Sequence, residues 1–77
     1  MAPSIPLLRP GEVVKAFQRL GWTVSRKRGI HIIMTKQGHI ATLSIPDHRE
    51  TARGTLRGLI SSAGITVDDF LENLKKR

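Results

Sequence analysis

Of the three histidines in this chain, His31, His39 and His48, one stands apart by its surroundings. His31 is set in the apolar run Gly29-Ile30-His31-Ile32-Ile33-Met34, directly after the basic cluster Arg26-Lys27-Arg28. A strand of this composition presents an imidazole on a sheet face beside concentrated positive charge. Such a pairing suits work on a phosphate backbone: an imidazole can accept or donate a proton, and the cations hold phosphates. The competing reading is a histidine tolerated on a wet sheet face, with no chemistry attached.

The other two histidines carry weaker signals. His48 stands between Asp47 and Arg49 in a polar stretch, where it either contacts a nucleic acid or is solvated, and His39 flanks the Gln37-Gly38 turn and reads as a surface residue. No His-x-His or His-x-x-x-His spacing occurs and no carboxylate pairs with a histidine, so neither a metal site nor a cofactor is expected. No acidic pair is placed to hold magnesium for two-metal phosphodiester chemistry. The chain has no cysteine, which removes disulfides, thiolate catalysis and cysteine-bound zinc, and fits a reducing compartment. A cytoplasmic protein is the expectation.

Charge points to the partner. Thirteen Lys and Arg against six Asp and Glu give a net charge of +7 and a pI near 11.3, which favours nucleic acid or another polyanion. Arg26, Lys27 and Arg28 at a first hairpin, Lys36 at the end of a second strand, and Arg53 and Arg57 near the start of a later helix together outline a candidate phosphate track. Ordinary surface charge explains single lysines well but explains three consecutive cations poorly. Trp22, Phe17 and Phe70 all fall in apolar patterns and read as core, so recognition by base stacking is not expected. No apolar run approaches the roughly 20 residues that cross a bilayer, so no membrane association is expected.

The elements that must position these residues fit in one domain of 77 residues. Pro3, Pro6 and Pro10 mark residues 1–10 as an extended N-terminal arm, ahead of a single domain over residues 11–77. From Gly11 to Leu20, Val13, Val14, Phe17 and Leu20 recur at helical spacing, with Gly21 just beyond. Trp22 to Arg26, Ile30 to Lys36 and His39 to Ile45 read as three consecutive strands of an antiparallel meander, ended by Pro46. A loop over Asp47 to Arg53 follows. Thr55 to Ala63 forms a helix stopped by Gly64, and Thr66 caps a further turn carrying Phe70, Leu71 and Leu74. Asp68 and Asp69 suit its positive end, and Lys75-Lys76-Arg77 its negative end. The fold expected is α+β, with helices on one face of the sheet and the other face wet. Ile30, Ile32 and Met34 are assigned inward, which puts His31 on the open face.

The ordered combination of Gly21-Trp22, Gly29-Ile30-His31, Ile45-Pro46-Asp47-His48, Gly54-Thr55-Leu56-Arg57-Gly58-Leu59-Ile60, Ala63-Gly64-Ile65-Thr66 and Phe70-Leu71 resembles the HicA, or YcfA-like, toxin family over about residues 9 to 71. The resemblance implies a double-stranded-RNA-binding-domain-like fold and a ribonuclease toxin acting on messenger RNA, held inactive by a HicB-like antitoxin. It sets His31 on the histidine of the family's Gly-Ser-His motif, regarded as catalytic. It also sets His48 on the histidine after the strand-ending proline, and Gly54 and Thr55 on the Gly-Thr that opens the last main helix, with Thr55 a candidate RNA contact. Ile30 departs from the pattern, since the family usually has Ser or Thr there. Two other readings stay open: a non-catalytic RNA-binding module of the same fold, and a domain whose charge meets an acidic protein.

Overall fold

A computed structural model describes residues 5–75. Residues 1–4 of the expected arm, and Lys76 and Arg77 of the C-terminal basic run, lie outside the described residues. The element order is α1 (Pro10–Arg19), β1 (Thr23–Arg28), β2 (His31–Thr35), β3 (Leu43–Pro46), α2 (Arg53–Ala63) and α3 (Val67–Lys75). The three strands form one antiparallel sheet in the order β1-β2-β3. This is the α+β, double-stranded-RNA-binding-domain-like architecture, with two helices after the sheet.

Local residues account for three of the helix ends. Proline occupies the first position of α1, where no amide hydrogen is needed, and the Arg9 backbone N–H donates to the Glu12 carboxylate at 3.1 Å. Gly64 closes α2 in the left-handed region, with φ of 75°. At the start of α3 the Thr66 hydroxyl accepts from the Asp69 N–H at 3.0 Å, while the Thr66 N–H donates to the Asp69 carboxylate at 3.2 Å. That reciprocal pair satisfies two otherwise unpartnered amides.

Residues directly opposite one another in a ladder share a face, so the register divides the sheet. Ile32 pairs with Ile45 and Met34 with Leu43; Met34, Leu43 and Ile45 are fully buried beneath the helices, and Ile32 packs against them. His31 pairs with Pro46 and Ile33 with Ser44, which puts these residues on the open face. The inward assignment of Ile32 and Met34 and the outward assignment of His31 agree with this. Ile30 does not: it is a turn residue between β1 and β2 and is 53% exposed. The ladder begins only at His31, so Ile30 has no sheet face to occupy.

The core beneath the sheet is built on Phe17, Trp22 and Phe70, with Phe17 edge-on to Trp22 at 6.4 Å and 5.2 Å from Phe70. Trp22 precedes β1 and is buried; Val24, in the same alternation, is 45% exposed at the edge of the sheet. Ile5 and Leu8 from the extended arm also enter the core. The arm is fixed by the Thr51 N–H donating to the Leu8 carbonyl at 2.7 Å and by Arg53 Nε donating to the Ile5 carbonyl at 2.8 Å.

The third strand is shorter than expected, four residues instead of a span from His39. His39 accounts for the difference. Its Nδ1 accepts the Ala41 backbone N–H at 3.1 Å, its Nε2 meets the Ala63 carbonyl at 3.1 Å, and its ring lies 4.9 Å from that of Trp22. These contacts hold residues 39–42 against the end of α2 and away from a β ladder. The expectation of a surface histidine is therefore corrected: His39 is half-buried and holds a loop to the end of a helix.

Candidate nucleic-acid interface and catalytic cleft

The hairpin joining β1 to β2 positions the residues of interest. Its turn is Gly29-Ile30, with φ of 56° at Gly29, a backbone state open to glycine without steric cost. This short turn sets Arg28 directly opposite His31. Arg28, Gly29, His31, Ile33 and Ser44 line a shallow cleft of about 450 Å³ on the open face. His31 is exposed there.

Ordinary alternation along β1 is broken once, between Val24 and Arg26. Thr23 pairs with Thr35 and Val24 with Met34; after the irregularity at Ser25, Arg26 pairs with Ile33, Lys27 with Ile32 and Arg28 with His31. Arg26 and Arg28 thus share the open face with His31, whereas Lys27 falls on the helix-bearing face. There Lys27 forms an ion pair with Asp47 at 2.5 Å, and the Asp47 N–H donates to the Ile30 carbonyl at 2.6 Å. Both partners are partly exposed, so the ion pair contributes less than about 1 kcal/mol. Its effect is to hold the start of the loop after β3 against the hairpin turn.

The other residues expected to contact RNA are spread over three places. His48 is exposed in that loop, two residues beyond Pro46, the ladder partner of His31, and so lies at the same end of the sheet. Lys36 follows the far end of β2, about 16 Å from His31 at the usual rise per strand residue; its chain lies beside Gly21. Arg53, Thr55 and Arg57 are exposed on α2, which packs against β3 in the helical layer. Arg53 is further engaged by the arm. The structure therefore brings Arg26 and Arg28 together with His31, places His48 near them, and separates Lys27, Lys36, Arg53, Thr55 and Arg57 from the cleft.

Ser44 lines the cleft although the sequence reading did not single it out. The signal was present in Leu43-Ser44-Ile45, where a small polar residue between two buried ones points to the opposite face. Among the described residues no group of acidic residues and histidines is gathered as metal ligands. Likewise, among them no helix is long and apolar enough to cross a membrane.

Comparison with known proteins adds an independent line. No curated protein and no solved structure matches the chain. A family model described as the HicA toxin of bacterial toxin-antitoxin systems matches residues 11–65, which takes in α1 beyond its first residue, the whole sheet with its cleft, and α2. With the expected fold in place and the match spanning most of the chain, the protein belongs to the HicA toxin family.

Proposed function

We propose that this toxin is an endoribonuclease that cleaves messenger RNA without a metal ion, in the cytoplasm, with His31 in proton transfer and a HicB-like antitoxin as its restraining partner. The observation that carries the reading is His31 itself: exposed on the open sheet face, in a cleft shared with Arg28 and Ser44. In the cleavage step the neutral His31 imidazole accepts the proton of a ribose 2′-OH. The freed oxygen attacks the adjacent phosphorus, the bond to the 5′-oxygen breaks, and the departing oxygen takes a proton from water. General base action of this kind contributes about 10² to 10⁴ in rate. Arg26, Arg28 and His48 supply phosphate contacts around the cleft. Lys36, Arg53, Thr55 and Arg57 extend contact with a longer RNA along the strand end and α2.

The test is incubation of the purified protein with a labelled messenger transcript in EDTA. Cleavage is expected to persist, to leave 2′,3′-cyclic phosphate or 3′-phosphate ends, and to vanish in His31→Ala. Inhibition by EDTA, or wild-type cleavage by His31→Ala, overturns the reading. Retention of RNA that weakens with salt, with no cleavage at all, is the outcome that makes the protein a binding module instead.

A further inference from the structure

We infer that Arg28 is a catalytic residue, one that carries the charge developing on phosphorus, and that the irregularity at Ser25 exists in the strand to put it there. The inference rests on the reading of His31 as the proton-transfer group. Three observations lead to it. Arg28 is the direct ladder partner of His31, and such partners have Cα atoms about 4.5–5.5 Å apart. Both residues line the same cleft. Among the described residues the ion pair of this region is Lys27–Asp47, so Arg28 faces the cleft with its charge uncommitted to an acidic neighbour.

The bulge gives these facts a cause. Were Ser25 to take a regular place in the ladder instead of bulging out of it, Arg26 and Arg28 would fall in the same alternation as Val24 and pass to the helix-bearing face, leaving Lys27 alone beside His31. With the bulge, a run of three cations that is uniform in sequence acquires two distinct jobs. Lys27 turns away and holds Asp47. Arg26 and Arg28 stand on the cleft side about 6.6 Å apart along the strand, a spacing that lets them meet successive phosphates of one RNA strand.

The positions of the two arginines then differ in consequence. Arg28, next to His31, meets the phosphate under attack. In the step already written, the P–O2′ bond forms as the P–O5′ bond breaks, and the phosphorus carries extra negative charge on its non-bridging oxygens in between. A planar guanidinium offers paired N–H donors to those oxygens and gives up no proton. Loss of one such preorganised donor typically costs about 10²–10³ in the chemical rate. Arg26, two ladder pairs further along, meets a phosphate that does not react. It contributes to affinity alone.

Single-turnover cleavage of a labelled messenger transcript, with protein varied from below to above half-saturation, separates these roles. Arg28→Ala is expected to lower the maximal rate about 10²-fold with little change in half-saturation, and Arg28→Lys to recover part of the loss. Arg26→Ala is expected to raise half-saturation and leave the maximal rate, and Lys27→Ala to do neither. All three positions are exposed, so folding is checked by circular dichroism and is expected to be unchanged. If Arg28→Ala raises half-saturation and keeps the maximal rate, or if Lys27→Ala loses as much rate as Arg28→Ala, the assignment is overturned. His31→Ala run alongside keeps the two ideas apart. A dead His31→Ala with an undiminished maximal rate in Arg28→Ala sinks the Arg28 assignment alone, whereas wild-type cleavage by His31→Ala sinks the acid-base reading on which it stands.

Discussion

His31 and His39 bracket the second strand, and the protein uses the same side chain for opposite ends. His31 opens the strand, on the face without helices, beside Arg28 and in contact with solvent. His39 lies past the strand's end, half-buried, with one ring nitrogen on the Ala41 N–H, the other on the Ala63 carbonyl, and the ring against Trp22. Accepting at Nδ1 requires the proton to sit on Nε2, which donates to Ala63. That bond satisfies one of the carbonyls left open at the end of α2. A histidine with both nitrogens committed has no freedom to exchange protons with a substrate. One with its ring in an open cleft has that freedom and little structural duty.

The largest effect expected from this contrast falls on rate. On the proposed mechanism His31→Ala removes the proton-transfer group, and it is expected to slow RNA cleavage about 10²- to 10⁴-fold. Because the side chain is exposed, thermal or denaturant unfolding is expected to move by no more than about 0.5 kcal/mol. A variant that loses activity only because it has unfolded would erase the distinction between the two histidines.

His39→Ala is expected to behave in the reverse way. It deletes two hydrogen bonds and leaves the Ala41 amide and the Ala63 carbonyl without their partners, at a cost of about 1–3 kcal/mol in denaturant unfolding. Cleavage per folded molecule is expected to match wild type. A His39→Ala protein as stable as wild type would show that the loop over residues 39–42 is held by other contacts.

The same contrast explains what was legible in the sequence. His31 was, because of the two arrangements open to the alternation, the one that buries Ile32 and Met34 puts His31 on the open face and leaves only Ile33 as an apolar residue there. The glycine stop at Gly64 and the Thr66 start followed from residues whose backbone preferences are strong. His39 was not legible, since its partners are a loop amide and a helix carbonyl far along the chain, and apolar residues after it read equally well as a strand. The split of Arg26-Lys27-Arg28 was hidden for another reason. A single bulged residue reverses the facing of everything after it, and Ser25 carries no chemical mark of that role. Ile5 and Leu8 were passed over because prolines around them announced an extended arm, and extension says nothing about whether the side chains are buried.

The smallest effect expected is optical. Trp22 is 1% exposed, with the ring of Phe17 6.4 Å and that of His39 4.9 Å from its own. Its emission in the native protein is expected to be blue-shifted and nearly immune to iodide. Removing the His39 ring takes away one of these neighbours without touching the core beneath, so His39→Ala is expected to give a modest rise in iodide quenching under conditions where the protein is still folded. His31→Ala, on the opposite face of the sheet, is expected to leave quenching at the wild-type value. Equal quenching in the two variants would mean that the imidazole of His39 does not shield the indole, and that the loop after β2 is held over Trp22 by its backbone alone.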